Sequence, residues 1–175
     1  IKGVNLFRDS LDSQLANAVV GISGKSDRLY FSDFYPFVPA LEMLSGAIGF
    51  DIELVAENSK LDINKFDVTT GDTELKLTGS VSNFMDSGQL YASINANNSK
   101  IIYKDITSLL KSVKLPLYKF TTPIIIDTLQ IAGGMKNIKA GYAFRMEGGS
   151  LSGSTSLDMS AKDYSYELGL ITNKL

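Results

Sequence analysis

Two stretches of this chain change the spacing of their apolar residues in the same way. The first, "ISGKSDRLYFSDFYPFVPAL", covers residues 22–41, and the second, "INANNSKIIYKDITSLLKSV", covers residues 94–113, 72 positions later. Both begin with the alternation of a half-buried strand and then place apolar residues at i, i+3, i+4 and i+7, the spacing of an amphipathic helix. This recurrence predicts a chain of repeated units that each combine strands with a short helix.

The helical spacing covers Phe34–Ser45 in the first stretch and Ile106–Leu115 in the second. Asp33 and Asp105 precede these segments and are predicted to be N-caps, because a short acceptor side chain there can bond the free amides of the first turn. The sequences after both helices alternate between apolar and polar residues and are interrupted by Gly, Asn and Asp. They therefore predict antiparallel strands joined by tight turns.

The repeat divides the chain into approximate units of residues 15–89 and 90–165, and residues 166–175 begin a third unit. A single sheet of this kind exposes its apolar face unless it folds over or stacks on a neighbour. We therefore expect a mainly β, elongated and open-ended assembly of antiparallel strands in which each unit covers part of the next. Because the sequence begins and ends abruptly, we expect residues 1–175 to be an internal segment of a longer repeat protein.

The composition argues against catalysis, metal binding and nucleic-acid recognition. The chain has 17 basic and 19 acidic residues, so it lacks the excess of Lys and Arg that marks a nucleic-acid groove. It contains no His, the commonest general base and metal ligand, and no Cys, which excludes disulfides and thiolate metal sites. We expect no enzymatic activity and no cofactor or metal.

Two motifs that resemble functional sites are better explained as structural features. "GISGKS" at residues 21–26 has two residues between its glycines where a phosphate-binding loop needs four, so we interpret it as a polar turn. Asp51 with Glu53, and Asp72 with Glu74, are carboxylates at i, i+2, which a strand places on one face about 7 Å apart. Apolar residues occupy the opposite parity, so these pairs are typical of a solvated outer face.

Three segments carry a resemblance to a known family: "LKLTGSVSNFMDSGQL", "NNSKIIYKDITSLL" and "SLSGSTSLDMSAKDYSYELGLITNKL". The sequence resembles the TamB-like (translocation and assembly module) branch of the AsmA-like superfamily of Gram-negative bacteria. The resemblance implies a periplasmic protein anchored in the inner membrane and a folded-over, β-taco-like sheet with an apolar concave groove. It also implies a role in outer-membrane biogenesis, by lipid transport between the inner and outer membranes, by assembly of outer-membrane proteins, or by both.

We expect a groove whose partners are phospholipid acyl chains or nascent outer-membrane β-strands. The resemblance adds an outer-membrane β-barrel assembly protein as a further partner. An acyl chain would enter such a groove by burying apolar area, at about 0.8 kcal/mol for each CH₂. The residues expected to line the groove are those at the alternate strand positions whose side chains should face inward: Leu75, Leu77, Val81, Leu90, Ala92, Ile94, Tyr142, Phe144, Met146, Leu157, Met159, Tyr166, Leu168 and Leu170.

A structural or adhesive β-repeat protein with a filled core and no cargo is the alternative, since a filled interior and an open one need the same alternation. A polysaccharide-processing enzyme would require clustered carboxylates and basic residues that the sequence lacks. We also expect unpaired strand edges over Leu15–Ile22 and Tyr164–Leu175. Exposed edges recruit partners, so the isolated segment should self-associate end to end or retain lipid or detergent.

Overall fold

The computed structural model describes residues 19–110, 122–160 and 164–173, and these residues form one nine-stranded antiparallel sheet. Its strands are β1 (Val20–Tyr30), β2 (Ala47–Glu57), β3 (Lys60–Thr70), β4 (Thr73–Ser82), β5 (Tyr91–Ile101), β6 (Ile124–Gly134), β7 (Asn137–Met146), β8 (Gly149–Asp158) and β9 (Ser165–Asn173). Each strand pairs with its neighbours in sequence, and β1 and β9 form the two edges of an open sheet. The mainly β, antiparallel prediction is therefore confirmed, whereas the repeated units and the folded-over shape remain predictions.

Tight turns, longer loops and two helical connections join the strands of the sheet. Asn58 and Ser59 join β2 to β3 with φ angles of +48° and +60°, the left-handed pair of a type I′ hairpin turn. The connections after β1 and β5 contain the helical segments: two 3₁₀ helices at Phe31–Asp33 and Pro39–Met43, and the α-helix α1 at Tyr103–Leu109. Since odd-numbered strands of this meander run in the same direction, both helical connections lie at the same end of the sheet.

The helix predictions were only partly right. Phe34–Ser45 does not form the expected helix, because its 3₁₀ segments are separated by a turn. Pro36 and Pro39 explain the difference, since proline lacks an amide hydrogen and clashes with the preceding helical turn. The second helix, α1, begins three residues before the predicted Ile106, and residues 111–115 lie outside the described residues.

Both N-cap predictions were wrong. The cap positions belong to Tyr30 and Ile102, and neither makes a side-chain cap hydrogen bond. Asp33 is the last residue of the first 3₁₀ helix, and Asp105 lies inside the first turn of α1. Their sequence positions are typical of caps, but the helices begin earlier than the apolar spacing indicates.

Asp105 instead fixes α1 to the end of the sheet. Its carboxylate accepts hydrogen bonds from the backbone amides of Asp72 and Thr73, at 2.8 and 2.9 Å, and from the Thr73 hydroxyl at 3.1 Å. Thr73 is only 4% exposed, so its amide and hydroxyl depend on partners within the protein. The Ser45 amide also donates to the Leu109 carbonyl, which joins the two helical connections.

The segment "GISGKS" lies within strand β1. Gly21 to Ser26 pair in register with β2, so the interpretation as a polar turn was wrong. The irregularity comes just afterwards, where the pairing register shifts between Ser26 and Leu29. The polar residues that suggested a turn therefore lead into a β-bulge, in which one strand carries an extra residue.

The sheet has one apolar and one polar face. Residues paired across antiparallel strands place their side chains on the same face, so the pairing registers define rows that cross the sheet. One row on the apolar face contains Gly24, Ile52, Phe66, Leu77, Ala96, Leu129, Tyr142, Gly153 and Leu170. The adjacent row on the polar face contains Thr78, Asn95, Gln130, Gly141, Ser154 and Gly169.

A bulge in β3 keeps apolar side chains on the same face. Ile63 and Phe66 lie three residues apart, yet their partners in β4, Gly79 and Leu77, lie two residues apart. A strict period of 2 would place Ile63 and Phe66 on opposite faces. The extra residue restores Phe66 to the apolar face, so the apolar rows continue across β3.

Candidate apolar binding face

Most of the residues expected to line a groove share the apolar face. Twelve of the fourteen lie in strands on that face: Leu75, Leu77, Val81, Ala92, Ile94, Tyr142, Phe144, Met146, Leu157, Tyr166, Leu168 and Leu170. Leu90 immediately precedes β5, and Met159 immediately follows β8, so both lie at the end of the sheet opposite α1. Contact between any of these residues and a cargo remains a prediction.

The apolar face contains further residues that were not among those expected to line the groove. Ile52 and Leu54 of β2, Phe66 of β3, and Leu129 and Ile131 of β6 belong to the same rows. The alternation in β2 is visible in the sequence and could have identified its two residues. Phe66 could not be assigned in this way, because the bulge in β3 interrupts the alternation.

Three rows of the apolar face cross all nine strands without a charged residue. They are the rows through Leu77, Gly79 and Val81. The row through Gly79 contains Ile22, Leu54, Ile63, Gly79, Ile94, Ile131, Ala140, Thr155 and Leu168, and the row through Val81 contains Val20, Ala56, Leu61, Val81, Ala92, Gly133, Ile138, Leu157 and Tyr166. The result is a continuous apolar surface.

No second layer of described residues covers this surface. Among them, Phe31, Ala96 and Ile126 are the only buried apolar side chains, and most others on the apolar face are half-buried. Exposure rises at the edges, to 50% for Ile22 in β1 and 66% for Leu168 in β9. The side chains are therefore shielded mainly by their neighbours on the same face, and a contiguous apolar surface of this kind marks an interaction site.

Two aromatic side chains of β7, Tyr142 and Phe144, stack on the apolar face. The rings of Tyr142 and Phe144 stack with centroids 5.6 Å apart and planes 9° apart. Gly153 leaves room for Tyr142, whose Oη lies 3.1 Å from the point that a Cβ at Gly153 would occupy. The Tyr142 hydroxyl then donates a 3.4 Å hydrogen bond to the carbonyl of Gly169 in β9. The Tyr142 ring thus extends across β8 towards β9 while it stacks on Phe144.

Ion pairs distinguish the other face. Lys65 Nζ donates to Asp51 Oδ2 at 2.6 Å, and this hydrogen bond lowers the pKa of Asp51 and raises the pKa of Lys65. Arg145 binds Asp127 through both Nε and Nη2, at 2.6 to 2.9 Å, which lowers the pKa of Asp127 and raises the pKa of Arg145. These carboxylates are therefore held ionised, as structural partners of cations rather than as proton donors.

The two carboxylate pairs of the sequence do not form an acid–base site. Asp51 is bound by Lys65, and Glu53 is exposed. Asp72 lies in the turn between β3 and β4 and not in a strand with Glu74, so the prediction of a shared strand face was wrong for this pair. In the described part of the chain, no three acidic groups converge to hold a metal ion.

The Asp127–Arg145 pair predicts a pH effect that can be measured at a single carboxyl group. In the Arg145→Gln variant, the pKa of Asp127 should rise towards the ordinary value of about 3.9. A carboxyl whose folded pKa is lowered stabilises the fold above its unfolded pKa, and this contribution is lost as the pH falls through the folded pKa. Loss of stability on acidification should therefore be smaller in the variant, as followed by carboxyl-carbon NMR and urea unfolding.

Lys139→Gln is the matched control for this measurement. It removes one positive charge from the same strand, β7, without touching the hydrogen bonds of Asp127. The pKa of Asp127 should stay lowered in this variant. An unchanged Asp127 pKa after Arg145→Gln would show that the bidentate contact does not form in solution.

Comparison of the chain with models of protein families, with curated proteins and with solved structures finds no match. Within the described residues, no helix has the length and apolar character needed to cross a membrane. The function must therefore be inferred from the chemistry of the two faces.

Proposed function

We propose that this chain forms part of an apolar groove or conduit that supports outer-membrane biogenesis. The groove would carry phospholipid acyl chains between the inner and outer membranes, assist the assembly of outer-membrane proteins, or do both. The observation that carries the proposal is the set of three uncharged rows across nine strands, with no described layer above them. The compartment, the periplasm of a Gram-negative bacterium, and an inner-membrane anchor follow from the resemblance to the TamB-like proteins.

The dimensions of the apolar face suit acyl chains. Nine strands give eight spacings of about 4.8 Å, so the rows are about 38 Å long. One lipid leaflet contributes about half of the 30 Å hydrocarbon core of a bilayer. A row can therefore accommodate an extended acyl chain, and each CH₂ that leaves water contributes about 0.8 kcal/mol. Because these rows contain no charged group, binding should select for apolar length rather than for a particular headgroup.

The same surface supports the second cargo, a nascent outer-membrane β-strand. Such strands alternate between lipid-facing apolar residues and lumen-facing polar residues. Their apolar side chains would cover the rows, and the edge strands β1 and β9, each paired with one strand among the described residues, offer backbone hydrogen bonds. An outer-membrane β-barrel assembly protein would receive either cargo, a partner that again follows from the resemblance.

A structural or adhesive protein with a filled core is the competing function. It requires another layer, from this chain or a partner, packed permanently on the apolar face. In that case, a charge introduced into the rows would be buried and would unfold the protein. In an open groove, the same charge would interfere with cargo but leave the fold intact, because a long side chain can extend to water.

Leu77→Arg and Thr78→Arg are a matched pair that tests the proposal. Both place the same side chain in β4, at adjacent positions on opposite faces. Leu77→Arg should weaken binding of a fluorescent phospholipid by about tenfold, equivalent to about 1.4 kcal/mol. Thr78→Arg should leave affinity unchanged, and both variants should keep the thermal unfolding midpoint of the native chain. Equal weakening by both variants, or unfolding by Leu77→Arg alone, would contradict the proposal and, in the second case, support a filled core.

A further inference from the structure

A cavity opens at the end of the sheet opposite α1, between the loop that joins β4 to β5 and the turn that joins β6 to β7. Its volume is about 560 Å³, and its lining includes Leu90, Tyr91, Met135, Lys136 and Lys139. The two connections pack directly against each other, since a Cβ at Gly134 would lie 2.9 Å from the Leu90 carbonyl oxygen. The walls of the cavity therefore come from internal connections of the sheet.

Two lysines give this cavity a positive charge. Lys136 and Lys139 are exposed, and neither forms an ion pair with a residue that the structure describes. Two carboxylates at the same end of the sheet have partners of their own. Asp86 and Asp158 each accept a hydrogen bond from the backbone amide two residues further along the chain, at 2.9 and 2.8 Å. The lysines are therefore available to an anion, and a Lys ammonium is well suited to phosphate.

Apolar groups adjoin the lysines at this end of the sheet. Met135 directly precedes Lys136, and 61% of its surface is exposed. Gly133, which also lines the cavity, belongs to the uncharged row through Val81. Lys139 lies on the polar face, so the cavity is located where that face meets the end of the apolar rows. A ligand that matches both surroundings combines an anion with an apolar portion.

We propose that this cavity binds the phosphate group of a phospholipid, an inference that rests on the proposed function of the apolar face. The ammonium groups of Lys136 and Lys139 would hold the phosphate, and Tyr91 offers a hydroxyl donor from the same lining. The acyl chains would pass over Met135 onto the apolar rows. Every phospholipid carries this phosphate, so the site favours phospholipids over uncharged lipids without choosing among headgroups.

Two fluorescent lipids with identical acyl chains, a phosphatidylglycerol and a diacylglycerol, test the site in the full chain. The unsubstituted chain should bind the phospholipid about fivefold more tightly, as expected for two exposed ion pairs, and added salt should reduce this preference. Lys136→Gln combined with Lys139→Gln should abolish the preference and leave the affinity for diacylglycerol unchanged. The matched control is Lys25→Gln combined with Lys104→Gln, which removes the same charge at exposed positions outside the cavity and should keep the preference.

Equal affinity of the unsubstituted chain for the two lipids, or a preference that survives the cavity substitutions, would overturn the proposal. Glycerol 3-phosphate, which has the phosphate but no acyl chain, should displace the phospholipid only at far higher concentrations. Displacement at equal concentrations would assign the cavity to a soluble phosphate compound and overturn the lipid assignment. Diacylglycerol measures the apolar face alone, so its failure to bind contradicts the proposed function. Diacylglycerol binding without a preference for the phospholipid contradicts the phosphate site and leaves the proposed function intact.

Discussion

Replacing Gly79 with alanine should lower the free energy of unfolding by about 3 kcal/mol, from backbone strain and overpacking that each cost about 1–3 kcal/mol. Gly79 has a φ of +154°, a conformation that residues with a Cβ rarely adopt. A Cβ would also overlap the Ser93 carbonyl oxygen and lie 2.9 Å from Ile94 Cα. These are backbone atoms of β5, so relief would require β4 and β5 to separate at the middle of the sheet.

Urea unfolding of Gly79→Ala and Gly141→Ala provides the measurement and its control. Gly141 also lies in an interior strand, but a Cβ there has no neighbour within 4 Å. The control should change stability by less than about 0.5 kcal/mol, as ordinary surface substitutions do. If the two variants lose the same stability, the close approach of β4 and β5 at Gly79 is not a feature of the folded protein.

The second large effect is expected at Asp105. Asp105→Ala should reduce the free energy of unfolding by about 2 kcal/mol, because hydrogen bonds to a charged acceptor contribute about 1.5–3 kcal/mol and buried donors left unpaired are costly. The substitution removes the acceptor for the Asp72 amide and for the amide and hydroxyl of Thr73. It should also loosen α1 from the sheet, since these contacts join the helix to the β3–β4 turn.

Hydrogen exchange separates this local role from a general loss of stability. In Asp105→Ala, the Asp72 and Thr73 amides should exchange faster than the decrease in global stability explains. Lys104→Ala is the control, since Lys104 is exposed on the same helix and its side chain takes no part in these bonds. Unchanged protection of Thr73 in Asp105→Ala would contradict the anchoring role of this carboxylate.

Sequence reasoning was most successful where strands alternate regularly. In β4 and β7, apolar residues occur at every second position, and the faces expected for Leu75, Leu77, Tyr142 and Phe144 agree with the pairing registers. Phe66 was not among the residues expected on this face, because a bulge changes the parity within β3. A bulge depends on how two strands meet, so a single strand's alternation cannot reveal it.

The helical connections were predicted less well, for two physical reasons. Pro36 and Pro39 outweigh the apolar spacing of the first segment, since each removes a backbone donor that an α-helix needs. The role of Asp105 depends on residues more than thirty positions away, whereas cap prediction considers only the adjacent turn. The apolar face itself was predictable from the alternation. A filled interior and an open one share that alternation, so the function of the face depends on what covers it.

Photocrosslinking along β4 tests the central claim that acyl chains bind the apolar face. A benzophenone amino acid is placed in turn at Glu74, Leu75, Lys76, Leu77 and Thr78, and crosslinks to phospholipid are measured by mass spectrometry. The proposal predicts an alternating pattern, with high yields at Leu75 and Leu77 and low yields at the other three positions. Equal yields along the strand, higher yields on the polar face, or no lipid adducts would contradict it.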